Sequence, residues 1–102
     1  MNVVSVGSEA KIWVGHEDMT GAGPSYRQVD HWTRLGYLKA VEGFGTGHAR
    51  RWPVLERDVA AMMHRLAAVG IPPKVAHDVA RAGGDYELGP GIRVVVAVVA
   101  LR

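Results

Sequence analysis

The 102-residue sequence lacks several features that would assign it to a particular class of protein. It contains no cysteine, which excludes both a disulfide framework and a thiolate metal site. It contains no run of the roughly 18 apolar residues that a membrane-spanning helix needs, and residues 1–6 are too short and too uncharged for a secretory signal. A hydrophobic content of 48% and a charged content of 22% are typical of a globular chain. These properties predict a single globular domain in the cytoplasm.

An excess of one charge sign is also lacking in the chain as a whole, because the net charge is only +2. The basic residues are nevertheless unevenly distributed. Residues 25–52 hold five basic side chains against Asp30 and Glu42, whereas residues 1–24 hold one against three and residues 53–102 hold six against five. The surplus of positive charge is therefore concentrated in one central segment, as in proteins that bind a polyanion.

That segment begins with a predicted helix over residues 25–38, S-Y-R-Q-V-D-H-W-T-R-L-G-Y-L. Ser25 and Gln28 have the S-x-x-Q spacing of a capping box, which specifies where the helix starts. The periodicity of a helix divides the remaining side chains between two faces. One face carries Tyr26, Val29, Trp32, Thr33 and Gly36, and the opposite face carries Arg27, Asp30, His31 and Arg34. We expect the first face to pack against the domain and the second to bind a ligand.

Residues 39–52, here called the predicted wing, follow the helix directly. Glycines separated by single residues over 43–47 predict the tip of a β-hairpin, and H-A-R-R-W places basic side chains on its return strand. A capped basic helix followed by a basic hairpin is typical of domains that contact the major groove of DNA and the flanking phosphates together.

The order of these motifs resembles the winged-helix DNA-binding domains of the MerR-like family, in particular its actinobacterial and phage-borne branch. S-Y-R-Q-V-D-H-W-T-R-L-G-Y-L is similar to the family's recognition helix, G-T-G-H-A-R-R-W-P is similar to the return of its wing, and residues 59–71 are similar to the next helix and turn. The resemblance covers residues 15–82. Residues 15–23, where the family places its first helix, contain three glycines, so this helix is expected to be short, irregular or displaced.

The resemblance implies that Arg27 and His31 lie where the family contacts DNA and that Arg50 lies where its wing does. Together with the residue pattern, it predicts that helix residues enter the major groove, that Arg50 and Arg51 hold phosphates, and that Trp32 and Trp52 lock helix to wing. The complete set of predicted DNA-binding residues is Ser25, Tyr26, Arg27, Asp30, His31, Arg34, Lys39, His48, Arg50 and Arg51.

Catalytic and cofactor sites are not indicated. The five histidines are scattered and no Ser, His and acid arrangement stands out, so we expect no enzyme activity. The glycines of G-F-G-T-G suit a hairpin tip better than a nucleotide site, since a basic strand rather than a helix follows them. The adjacent residues His16, Glu17 and Asp18 are poorly placed to converge on one metal ion. We expect neither a cofactor nor a metal.

The rest of the chain completes a predicted α+β fold, a winged helix-turn-helix with a small terminal sheet. Short β-prone runs precede the core in residues 1–14, and the core occupies residues 15–82. Within it, Pro53 opens a helix with an apolar stripe, and Pro72 and Pro73 open a second helix that stops at Gly83. The stripe of the first helix consists of Leu55, Val59, Met62, Met63 and Leu66.

Residues 85–102 predict a C-terminal β-hairpin turning at residues 89–91. Its second arm, residues 92–101, is apolar on both faces and therefore needs a cover. Three covers are open: residues 3–6 of the same chain, in a sheet shared by both termini; helices of the domain; or a second copy of the chain in a homodimer.

The most specific function that the sequence predicts is a DNA-binding transcriptional regulator of a bacterium or its phage. An excisionase-like architectural factor would use the same helix and wing to bend DNA. An adaptor that binds a protein of the transcription or recombination machinery is a further alternative.

Overall fold

The structure of the chain, a computed structural model, describes residues 13–41 and 50–97. These residues form a small compact α+β domain with four helices and two antiparallel sheets of two strands each, which confirms the predicted class. None of these four helices is long and apolar enough to cross a membrane. In chain order the elements are β1 (Trp13–Val14), α1 (His16–Gly21), α2 (Tyr26–Arg34), β2 (Trp52–Pro53), α3 (Leu55–Ala68), α4 (Pro73–Arg81), β3 (Asp85–Gly89) and β4 (Ile92–Val95).

Helix α2 begins where the capping box predicts. The Ser25 hydroxyl accepts a hydrogen bond from the Gln28 N–H at 3.0 Å, and the Gln28 Oε1 accepts one from the Ser25 N–H at 2.9 Å. The helix ends earlier than the predicted Leu38, at Arg34, where the Tyr37 N–H donates to the Trp32 carbonyl at 2.9 Å and turns the chain away from the axis. Val29 and Trp32 are buried, as the face assignment predicts.

Helix α1 has only six residues, in agreement with the expectation of a short first helix. It packs against α2 and α3 and contributes Met19, which is fully buried, to the core. The Arg57 Nε donates to the Asp18 carbonyl at 3.1 Å and so links α3 to α1.

Helices α3 and α4 pack against each other as predicted. Val59, Met63 and Leu66 of the α3 stripe are buried, and Met62 is partly buried against the same core. Leu55 departs from the prediction, because its side chain is 69% exposed. It is the first residue of the helix, and the periodicity of the stripe does not determine whether anything covers that end.

The two strands β1 and β2 form a sheet that the sequence did not predict. Trp13 lies opposite Pro53 and Val14 opposite Trp52, so the described part of the N-terminal strands pairs beside the predicted wing rather than with the C-terminal strand. Trp52 is fully buried. We attribute the pairing to the burial of its indole, which draws β2 toward the core and leaves its backbone available to β1. Residues 3–6 lie outside the described residues.

The C-terminal hairpin forms as predicted, with Tyr86 opposite Val94 and Glu87 opposite Arg93. Alternate residues of β4 lie on opposite faces. Val94 and Val96 pack against the domain core, whereas Arg93 and Val95 are exposed on the other face. The inner face of the described strand is thus covered by its own domain, and self-association through this strand stays a prediction.

Candidate nucleic-acid interface

The outer face of α2 presents three exposed basic side chains, two arginines and one histidine. Arg27, His31 and Arg34 stand four and three residues apart, so they follow one another along one face of the helix. Among the described residues, Arg27 makes no ion pair or side-chain hydrogen bond, and its guanidinium is open to a ligand. The Arg34 side chain is 70% exposed.

Asp30 lies within this face but is occupied by the protein itself. Its Oδ2 accepts from the Arg34 Nε at 3.0 Å, and its Oδ1 accepts from the Arg50 Nη1 at 3.1 Å. The sequence predicts that Asp30 enters or borders the major groove together with Arg27, His31 and Arg34. In the structure it is only 26% exposed and joins two arginines.

Arg50, which the sequence predicts to bind a phosphate, is not exposed at the surface as that role requires. Its side chain is only 11% exposed and pairs with Asp30, because the segment entering β2 runs directly beside α2. A phosphate could not reach this guanidinium without breaking that pair. Arg51 is half-buried, and its Nη1 donates to the Arg50 carbonyl at 3.1 Å.

The other predicted DNA contacts differ in their exposure and in the contacts that they already make. Ser25 is exposed, but its hydroxyl is used in the capping box. Tyr26 is 43% exposed and stacks on the His16 ring, with centroids 4.2 Å apart. Lys39 is exposed just beyond α2, and His48 lies outside the described residues.

The base of the predicted wing is closed next to α2. The Val41 N–H donates to the Arg51 carbonyl at 2.7 Å, which joins the two arms of the segment. The buried Trp52 donates its Nε1–H to the Thr33 hydroxyl of α2 at 3.1 Å. The predicted contact between helix and wing through Trp52 is therefore present at the wing base, while the glycine tip over residues 43–47 lies outside the described residues.

Glu56 fixes the chain where it leaves α2, a role that the sequence did not predict. Its carboxylate is 6% exposed and accepts both Arg81 Nη groups at 2.6 Å and the Lys39 N–H at 2.6 Å. The same Arg81 also donates to the Tyr37 carbonyl at 2.8 Å. The hydrogen bond to Glu56 raises the pKa of Arg81 above its ordinary value. Three distant segments thus meet at one carboxylate.

A shallow groove of about 650 Å³ runs along the outer face of α2. Ala67 of α3 and Pro73 of α4 form part of its wall, so the helix face is flanked by the turn between these two helices. The remaining lining residues are Ser25, Arg27, Gln28, Asp30, His31, Trp32 and Arg34. Five of the ten predicted site residues, all from α2 and its cap, line this groove.

His16, Glu17 and Asp18, the adjacent residues considered as metal ligands, do not lie together in the structure. The His16 ring is buried between Tyr26 and Trp52, with its centroid 4.7 Å from that of Trp52, whereas Glu17 and Asp18 are exposed. In residues 13–41 and 50–97, no three His, Asp or Glu side chains converge in a way that could hold a metal ion.

Comparison of the chain with protein-family models, with curated proteins and with solved structures found no match.

Proposed function

We propose that this chain is a sequence-specific DNA-binding domain that places α2 in the major groove and the base of its predicted wing beside the phosphate backbone. The observation that carries the proposal is the outer face of α2, where Arg27, His31 and Arg34 are exposed and Asp30 is the one acidic residue among them. Arginine is the side chain best suited to pair with guanine edges and with phosphates.

The arrangement of the helices supports the same role. Helix α1 ends at Gly21 and α2 begins at Tyr26, and the turn between them contains Gly23. A short turn with glycine between two packed helices is the connection of a helix-turn-helix motif, in which the second helix reads bases. Helix α2 has that second position, with its apolar face on the core and its polar face outward.

The rigidity of α2 also supports the proposal. The capping box fixes its start, Thr33 binds the buried Trp52, and Glu56 holds the segment that follows it. A helix that reads bases must keep its side chains in register with the groove, and side chains on rigid elements do so at lower entropic cost. As a transcriptional regulator, the domain would act in the cytoplasm on double-stranded DNA without covalent chemistry.

In vitro selection from a random duplex library with the full chain tests the proposal, followed by fluorescence anisotropy on the enriched duplex. We expect one enriched sequence, and an affinity that falls with salt at a slope of about −0.9 per phosphate contact, or about −2 for the two exposed arginines Arg27 and Arg34. An unenriched library together with binding that is flat between low and moderate salt would exclude DNA as the partner. Strong enrichment of clustered direct repeats would instead favour an architectural factor.

A further inference from the structure

Asp30 binds two arginines that differ in burial and in location. Arg34 is its neighbour one helical turn further along α2 and is 70% exposed. Arg50 lies twenty residues away in sequence, next to the closed base of the predicted wing, and is 11% exposed. One carboxylate oxygen serves each arginine, so the same side chain makes one local exposed contact and one long-range buried contact.

These two contacts should respond differently to a phosphate. An exposed ion pair one turn apart on a helix is weak, since water screens it and two side chains must be ordered. A phosphate can therefore replace Asp30 as the partner of Arg34. The Arg50 contact is largely shielded, and breaking it would leave a mostly buried guanidinium without its carboxylate.

Direct reading of a base by Asp30 is disfavoured by the same geometry. An aspartate reads cytosine by accepting a hydrogen bond from the exocyclic amine. Here both carboxylate oxygens already accept from guanidinium groups, and the side chain is only 26% exposed. Bringing it to the groove would also set its negative charge against the phosphates.

We infer, on the basis of the proposed function, that Asp30 is a positioning residue with two effects. Through its ion pair with Arg50 it fixes the base of the predicted wing against α2. Through its ion pair with Arg34 it keeps that guanidinium from binding DNA until a correctly placed phosphate replaces Asp30 as its partner. Asp30 thereby lowers the affinity for any DNA and raises the preference for the correct site.

The first test needs no DNA and measures amide hydrogen exchange at Val41, whose N–H donates to the Arg51 carbonyl at the wing base. Loss of the Arg50 contact should let this base open more often. We expect exchange to accelerate about tenfold in Asp30→Asn and in Arg50→Gln, since a charge-assisted hydrogen bond is lost in both. The matched control Arg34→Gln should leave exchange at Val41 unchanged. Unchanged protection in Asp30→Asn would overturn the inference.

The second test compares wild type and Asp30→Asn on the duplex enriched by the wild-type chain and on a scrambled duplex of equal composition. We expect the variant to bind the scrambled duplex about three- to tenfold more tightly, with a salt slope steeper by about 0.9, because Arg34 gains a phosphate. Its preference for the enriched duplex should fall by about tenfold as the wing base loosens.

Two other outcomes of the second test would overturn the inference. A loss of discrimination at a single cytosine, with scrambled-duplex binding unchanged, would make Asp30 a base contact. An equal loss of affinity for both duplexes, together with a lower melting temperature, would make it a structural residue only. If the wild-type chain bound neither duplex, the proposed function would fail, and hydrogen exchange at Val41 would still decide whether Asp30 holds the wing base.

Discussion

The exit of helix α2 and the C-terminal hairpin are each held by a carboxylate that binds an arginine through two hydrogen bonds of 2.6 Å. Glu56 binds Arg81 in this way, and Asp85 binds Arg93. The surroundings differ, because the Glu56 side chain is 6% exposed and the Asp85 side chain is 49% exposed. Glu56 also binds the Lys39 N–H, whereas the Asp85 pair joins only the two arms of one hairpin.

Similar bond lengths in the two pairs do not imply similar contributions to stability. Water competes for the Asp85 pair, and that pair contributes little to holding distant parts of the chain together. The Glu56 carboxylate is shielded, and its loss would leave the partly buried donors of Lys39 and Arg81 without this acceptor. We therefore expect the placement of α2 to depend on Glu56 far more than the hairpin depends on Asp85.

The largest expected effect comes from Glu56→Gln, with Asp85→Asn as the matched control. We expect Glu56→Gln to lower the free energy of unfolding by about 2–4 kcal/mol, somewhat less than the loss of a fully buried pair, since Arg81 remains partly accessible to water. Asp85→Asn should leave the unfolding midpoint nearly unchanged. Urea denaturation followed by circular dichroism measures both, and equal effects from the two variants would remove the distinction drawn between the regions.

The next effect concerns the junction between α4 and the hairpin. Gly83 and Gly84 have φ angles of 78° and 92°, so an alanine at either position costs about 1–2 kcal/mol in backbone conformation. A Cβ at Gly84 would also lie 3.3 Å from both the Met62 Cε and the Val96 Cβ, whereas a Cβ at Gly83 meets nothing within 4 Å. Gly84→Ala should therefore destabilise the domain by about 1 kcal/mol more than Gly83→Ala in thermal unfolding. The reverse order would mean that Met62 and Val96 do not crowd Gly84 as closely as these distances indicate.

A smaller effect is expected from the cap of α2. Ser25→Ala removes the oxygen that accepts from the Gln28 N–H, which should cost about 1 kcal/mol of stability. Ser25→Thr keeps that oxygen and is the control. Differential scanning calorimetry distinguishes the variants, and equal melting temperatures for alanine and threonine would show that the cap does not contribute.

The smallest effect should appear at the exposed hairpin pair and should depend on pH. The hydrogen bonds from Arg93 lower the pKa of Asp85 below its ordinary value. A lowered pKa in the folded state means that the stabilisation is present above the unfolded pKa of about 4 and is lost as pH falls through the folded pKa. Any difference in melting temperature between wild type and Asp85→Asn should therefore vanish on acidification. A difference that grows below pH 4 would contradict this sign.

Local sequence signals predicted the elements of the fold well. The capping box of Ser25 and Gln28, the spacing of apolar residues in α3, and the glycines that end α4 each act within one or two turns of chain. Such signals are readable because the interacting groups are neighbours in sequence. The hairpin over residues 85–95 was predicted for the same reason.

The contacts that complete the candidate site are long-range, and the sequence did not reveal them. The Glu56 carboxylate binds Lys39 and Arg81, which are 17 and 25 residues away in the sequence. The Asp30 contact with Arg50 spans 20 residues and reverses the expected exposure of Arg50. Neither follows from periodicity, since each joins segments that are distant in the sequence and meet only in the folded chain.

The most direct test of the proposed DNA-binding face compares Arg27→Ala with Arg65→Ala on the duplex enriched by selection. Both variants remove one exposed arginine from a helix, but Arg27 lies on the outer face of α2, and Arg65 lines a different groove with Met62 and Val96. We expect Arg27→Ala to weaken binding by about 1–3 kcal/mol and to relax the preference at one base pair, as loss of a guanine contact would. Arg65→Ala should change the affinity only by the small amount expected when one positive charge far from the DNA is removed. Equal affinities for the two variants would contradict the assignment of α2 as the helix that reads DNA.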